Sequence, residues 1–176
     1  SAVTGICGWY GDAGGSAKEV IDAMQRRFAW RNPGIRTTAV GARFGIAAVG
    51  PAGTAAILES GPIHVAVQGH PMWRDRGARG QTIDAFCQAI VASWIERGDE
   101  IVAQIGGDFA LALIDERNGR ALLAIDRIGV RNIVYQCEGA GGTLIFGATS
   151  DVVNAHPQSR STLAPQALYD YVYFHM

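Results

Sequence analysis

The sequence predicts an α+β fold built on antiparallel sheets. Three observations carry that expectation. Two long segments repeat apolar residues at helical spacing. Short β-prone runs separated by glycine, proline and an Asn-Gly pair lie between and after them, which is hairpin punctuation. Finally, no G-x-x-x-x-G-K and no G-x-G-x-x-G follows a strand, so nothing points to a parallel nucleotide-binding sheet.

Taken in order, Val3 to Tyr10 reads as a buried strand and Gly11 to Gly15 as a loop. Ser16 and Glu19 form a capping-box pattern. Val20, Ile21, Met24 and Phe28 then follow a helical period as far as Trp30, and Asn32-Pro33-Gly34 stops the helix. Strands are expected over Thr37–Phe44, Gly45–Val49, Ala55–Leu58 and Ile63–Gln68. A loop over Pro71–Gln81 leads to Thr82, the cap of a second helix whose apolar face is Ile83, Phe86, Cys87, Ile90, Val91 and Trp94. Gly98 ends it. Asp108–Glu116 and Arg120–Asp126 flank Asn118-Gly119, the chemistry of a two-residue hairpin turn with positive φ at both central positions. Asn132–Cys137 and Thr143–Ala148 form another hairpin, and Pro165 opens a third helix through Leu168 and Tyr171.

Composition limits the function. With 176 residues the chain fits one domain that buries about 70% of its unfolded surface. Hydrophobic residues make up 48% and charged residues 18%, the balance of a soluble globular domain rather than a disordered one. A formal net charge of −1 offers no footprint for nucleic acid, and the basic stretch Arg74–Arg79 is broken by Asp75 and Gly77. No apolar run approaches the roughly 20 residues that cross a bilayer, and the first residues lack a signal-peptide pattern. Cys7, Cys87 and Cys137 match neither a zinc spacing nor a disulfide framework, which makes a reducing cytoplasm the expected location.

Several segments resemble class II glutamine amidotransferase domains of the kind that open asparagine synthetases. They are Gly5-Ile6-Cys7-Gly8-Trp9, Ala66-Val67-Gln68-Gly69, Gly106–Asp115, Asp126-Arg127-Ile128-Gly129-Val130-Arg131, Ala148–Pro157 and Leu168–Phe174. Gly106–Arg131 is the most specific part. The resemblance implies an N-terminal-nucleophile hydrolase fold, a four-layer αββα sandwich of two antiparallel sheets flanked by helices. It also implies that residues 1–176 form one amidotransferase-like domain, a fragment of a larger asparagine-synthetase-like protein. The implied partners are a C-terminal synthetase domain, glutamine and a second copy of the chain in a homodimer. ATP and magnesium are expected only in the synthetase domain, not in this chain.

In that family the nucleophile is a terminal cysteine whose own α-amine, with an ordinary pKa of about 7.7–8.0, takes its proton. The resemblance places this position on Thr4, preceded by Ser1, Ala2 and Val3, so the nitrogen of Thr4 is an amide in this chain. Cys7 is interior and on a strand points away from the Thr4 face. Two readings of Thr4 stand, an ordinary strand residue or a nucleophile made terminal by trimming; Cys7 after unusual processing is a further route to an active glutamine amidohydrolase. Arg43 matches the family's arginine that holds the substrate carboxylate, for which a planar fork is suited. Gln68 and Gly69 fall on the oxyanion pair, where the family carries Asn-Gly. His70 follows as a loop histidine with no partner apparent. The aspartate that pairs with the substrate amine falls on Phe86, or with a short gap on Asp84. Nucleophile, oxyanion donor and amine anchor have all changed, and the expectation is a domain without glutaminase activity.

Overall fold

The computed structural model describes residues 4–28, 34–76, 81–137, 141–160, 166–167 and 171–175. The order is β1 (Gly5–Tyr10), α1 (Ala17–Gln25), β2 (Ile35–Val40), β3 (Phe44–Gly50), β4 (Ala55–Ser60) and β5 (Ile63–Trp73). Next come α2 (Ile83–Arg97), a 3-10 segment (Gly98–Gln104), β6 (Ile105–Asp115), β7 (Arg120–Ile125), β8 (Val134–Cys137) and β9 (Leu144–Gly147). The chain continues through α3 (Ser150–Asn154), β10 (Gln166–Ala167) and β11 (Tyr171–His175).

These strands make two sheets, one ordered β10-β8-β9-β1-β3-β2 and the other β11-β7-β6-β5-β4, with every pairing antiparallel. Alternation along each strand sorts its residues into separate cores. Ile6 and Tyr10 of β1 join Ile46, Ala110, Ala112 and Leu123 between the sheets. Cys7 and Trp9 face the other way, against Val20, Ile21 and Met24 of α1 and Val152 and Val153 of α3. Beyond the second sheet, Phe86, Cys87, Ile90 and Trp94 of α2 pack on Val65, Val67, Leu111 and Leu113. The result is the expected helix–sheet–sheet–helix layering. Trp9 is admitted because β3 has a glycine beside it: a Cβ on Gly45 would lie 2.2 Å from the indole.

Local departures from the expected elements have physical causes. The turn between β2 and β3 falls at residues 41–43 rather than between Phe44 and Gly45. Ser16 sits at the α1 N-cap, but its side chain makes no capping bond, whereas Thr82 caps α2 by accepting from Ala85 N at 3.1 Å. β5 runs past Gln68 through Pro71 to Trp73 because β6 continues beside it while β4, which starts opposite Gln68, does not extend that far. Pro71 therefore stands where β5 has one open edge, the place a strand tolerates a missing N–H. The Asn118-Gly119 turn is longer than two residues: Asp115 pairs with Arg120, leaving 116–119 as the loop. Only Gly119 has positive φ there, +59°. The loop is shaped instead by the buried Asp115 carboxylate, which accepts from Arg117 N, Arg117 Nε and Asn118 Nδ2.

Where the third helix is expected, the described residues are strand. Gln166–Ala167 is a strand beside β8, and Tyr171–His175 pairs with the exposed edge of β7. A run of aromatic and β-branched residues beside an open strand edge favours the sheet over an isolated turn of helix. The short α3 has a signal that helical periodicity could not register over five residues, the cap at Thr149, whose hydroxyl accepts from Val152 N at 3.4 Å. α1 ends at Gln25, and residues 26–28 follow as a turn and bend rather than as the expected helix; Trp30 and the stop at Asn32-Pro33 lie outside the described residues.

His156, just after α3, is buried with its ring against Trp9, centroids 5.2 Å apart. Its Nδ1 accepts from Gln158 N at 3.1 Å. Burial lowers its pKa from 6.5 to about 4, with Asp12 opposing the shift. The unfolded chain thus binds more protons than the folded one between those values. The stability due to neutral His156 is fully present above pH 6.5 and is lost as pH falls toward 4. Urea unfolding across that window is expected to show a loss on the order of 2–3 kcal/mol, which His156→Gln abolishes. Phe86→Ala should cost about 3–5 kcal/mol at neutral pH, the cost of emptying a core aromatic site.

Candidate functional site

A cavity of about 230 Å³ opens between the two sheets, lined by Thr4, Gln68, Ala110, Val130, Arg131 and Asn132. Each wall follows from an element just described. Thr4 precedes β1 on the face of Ile6, so it looks between the sheets. Gln68 and Ala110 are directly opposite each other on β5 and β6. Val130, Arg131 and Asn132 come from the loop after β7. Asp126 fixes that loop: its buried carboxylate accepts from Val130 N and Arg131 N, each at 2.9 Å. Its carbonyl accepts from Gly129 N at 3.0 Å.

Arg131 dominates the electrostatics. Its Nε and Nη2 donate to Asp108 Oδ2 at 3.0 and 2.6 Å, and its Nη1 donates to Thr4 Oγ1 at 3.3 Å. Asp108 Oδ1 lies 3.2 Å from His70 Nδ1. Burial opposes ionisation of Asp108, but the hydrogen bonds and charge of Arg131, helped by His70, hold its pKa below the usual carboxylate value. Thr4, Arg131, Asp108 and His70 thus form one polar chain across the gap between the sheets.

The expected site residues divide sharply. Thr4 and Gln68 meet at the cavity. Gly69 is adjacent, with φ +122°, and a Cβ there would lie 2.3 Å from the Asp108 carbonyl oxygen. Its N–H, however, donates to the Thr54 carbonyl at 2.8 Å and is not directed into the cavity as an oxyanion donor. Gln68 is 1% exposed, and its Oε1 has no hydrogen-bond partner. Arg43 is not brought to the site. β1 and β3 run antiparallel with Gly5 opposite Val49, and Gly11 N donates to the Arg43 carbonyl. Arg43 therefore stands at the far end of β1 from Thr4, about 20 Å along the strand. There its guanidinium lies 5.6 Å from the Tyr10 ring centroid.

The amine-anchor positions are also elsewhere. Phe86 is in the α2 core against Trp73, and Asp84 is an exposed residue in the first turn of α2. Cys7 faces α1, fully buried, and burial pushes its thiol pKa far above the ordinary value. His70 does have a partner, Asp108, which the β5–β6 register sets directly opposite it. The residue missed by sequence reasoning is Arg131. Its signal was the Asp126–Arg131 motif, but its target depends on a loop geometry that spacing does not encode. A wider depression of about 640 Å³ lies at the other end of β1. Its polar side chains bond one another, Gln158 Nε2 to Asp12 Oδ2 and Thr143 Oγ1 to Gln158 Oε1, each at 2.9 Å.

Comparison with known proteins follows from this geometry. Residues 74–176, more than half of the chain, match the model of a family described as a glutamine amidotransferase domain. Over 86 residues the chain is 30% identical to asparagine synthetase [glutamine-hydrolyzing] 3 of Bacillus subtilis (strain 168). That match covers 48% of this chain and 14% of the relative, so the chain spans a small part of that protein's length. A similar solved structure is glutamine phosphoribosylpyrophosphate amidotransferase from B. subtilis complexed with ADP and GMP. It has 12% identity and a TM-score of 0.51, over 93% of this chain and 44% of that one. The structure of the allosteric regulatory enzyme of purine biosynthesis aligns over 98% of this chain and 41% of its own, with 12% identity and a TM-score of 0.49. At such identities the likeness concerns the fold alone. Thr4 and Gln68 lie outside the family-matched span.

One chemical consequence is direct. Iodoacetamide should leave Cys7 unmodified in the folded protein and react with it only in denaturant, while half-buried Cys137 reacts first. Peptide mass spectrometry measures both rates.

Proposed function

Since the chain belongs to the glutamine amidotransferase domain family, we propose that it is the degenerate amidotransferase domain of an asparagine-synthetase-like, ATP-dependent amide-forming enzyme. In this reading it hydrolyses no glutamine and acts as a structural and docking module for a C-terminal synthetase domain. That domain, and not this one, binds ATP and magnesium. The cytoplasm and a homodimeric parent belong to the same proposal.

The observation that carries the reading is the hydrogen bond from Gly69 N to the Thr54 carbonyl. Amide hydrolysis passes through a tetrahedral oxyanion, and loss of one well-placed donor costs on the order of 100- to 1,000-fold. Here the backbone donor is spent on the neighbouring strand. Thr4 is no better prepared. Its nitrogen is a peptide amide in this chain, and the charged group nearest its hydroxyl is a guanidinium, which donates protons and accepts none. Cys7 offers no substitute, being buried behind β1 as a protonated thiol.

A second reading has one observation in its favour: the Thr4 hydroxyl does line the cavity. Removal of Ser1 to Val3 would give Thr4 an α-amine as its base, producing an active amidohydrolase that supplies ammonia for asparagine synthesis.

The experiment pairs an ammonia-release assay on L-glutamine with intact-mass measurement of protein made in its native host. We expect no ammonia, retention of Val3 and no labelling by a glutamine-mimicking electrophile. Stoichiometric labelling at Thr4 or Cys7, or steady ammonia release, overturns the proposal.

A further inference from the structure

The Asn118-Gly119 pair has a chemistry that neither the turn nor the cavity uses. An asparagine side chain is open to attack at Cγ by the backbone nitrogen of the residue after it. A following glycine offers that nitrogen with no side chain in the way, and Asn118 is the one asparagine of the sequence followed by glycine. The other asparagines are shielded. Asn32 precedes Pro33, which has no N–H. Asn132 precedes the buried, β-branched Ile133. Asn154 precedes Ala155, whose N–H donates to the Val152 carbonyl at 3.3 Å. Asn118, in contrast, is exposed, and no hydrogen bond of the Gly119 N–H occurs among the described residues.

The amide that such an attack would consume also holds the loop together. Asn118 Nδ2 donates to Asp115 Oδ2 at 3.2 Å. That carboxylate is fully buried and accepts in addition from Trp94 Nε1 and Arg117 Nη2, each at 2.8 Å. An acid in place of the Asn118 amide removes a donor and sets a like charge against Asp115. The effect reaches the sheet. Arg120 is opposite Asp115 on β6 and opposite His175 on β11, so this loop closes the end at which β11 is attached.

We propose that Asn118 is a site of spontaneous deamidation in the folded chain, with water as co-reactant and a weakened Asp115 network as its consequence. The Gly119 nitrogen bonds to Asn118 Cγ and gives up its proton. The Cγ–Nδ2 bond breaks, and ammonia departs carrying that proton. Water then opens the cyclic imide, its oxygen ending in the new carboxyl group. Opening at Cγ gives aspartate. Opening at the backbone carbonyl carbon gives isoaspartate, which routes the chain through the side chain and adds one methylene to the loop. No oxidant or reductant takes part. The step consumes the chain's own amide and stands apart from how the cavity at Thr4 is read.

The test is storage of the full chain in buffered water enriched in heavy oxygen, followed by digestion at acidic pH and peptide mass spectrometry. Conversion at Asn118 is expected to give aspartate and isoaspartate, each with one heavy oxygen. It should quicken as pH rises, since the Gly119 nitrogen must lose its proton. It should also run at least about tenfold faster than at Asn154, whose neighbour must first release a hydrogen bond. Asn118→Gln sets the amide one methylene further out and should not convert. Asn118→Asp, the product made directly, should unfold at a lower urea concentration than the wild type. An intact Asn118 in the folded chain, while a synthetic peptide of residues 114–122 converts, overturns the inference. Conversion of Asn132 or Asn154 at the same rate does so too, as does a wild-type urea midpoint for Asn118→Asp.

Discussion

The antiparallel pairing of β5 with β6 is the constraint on which the site depends. It runs without a break from Ile63 opposite Asp115 to Trp73 opposite Ile105. A slip of one residue would exchange the faces of one strand relative to the other. Either Val65 and Val67 or Leu111 and Leu113 would leave the α2 core, and Ala66, or Ala110 and Ala112, would leave the interface between the sheets. The same register sets Gln68 against Ala110 in the cavity and His70 against Asp108 at its rim. Asp108 in turn is what holds Arg131. Packing of two cores thus determines, as a by-product, which polar groups meet at Thr4.

On the proposed non-hydrolytic reading, those groups lack the arrangement that a reaction site needs. Hydrolysis of an amide needs a nucleophile with a base beside it and donors aimed where the oxyanion forms. In this chain the hydroxyl at the nucleophile position accepts from a cation, and the backbone donor of Gly69 is committed to the Thr54 carbonyl. What remains at the cavity is the Arg131 guanidinium, held by Asp108, and the buried Gln68 side chain.

The sequence was most informative where a pattern is local and repeated. Residues Ile83–Trp94 show the α2 face at helical spacing, Thr82 its cap, and the alternation in β1 correctly set Cys7 opposite to Thr4. It was less informative where an outcome depends on a neighbour distant in the chain. Tyr171–His175 is a strand because β7 has a free edge, and β5 continues through Pro71 because β6 does. Asn118-Gly119 carries a tight-turn signature, yet the buried Asp115 carboxylate draws Arg117 and Asn118 into a longer loop. At the site, motif matching located Thr4 and Gln68 but placed Arg43 by composition of a short segment, and a shift along β3 moves that arginine the length of a sheet. Arg131 was within a recognised motif, yet nothing in spacing alone says that its side chain turns toward Thr4.

Gly69 has a wider consequence. Its φ of +122° and the Asp108 carbonyl 2.3 Å from any Cβ would exclude every other residue, whatever happens to the chemistry. Its amide, meanwhile, ties β5 to Thr54 ahead of β4. Any chain with this bend is compelled to keep a glycine here, whatever chemistry the cavity supports. Persistence of a glycine at this position along a lineage therefore records the survival of a backbone bend, and activity is to be judged from where the neighbouring donors point.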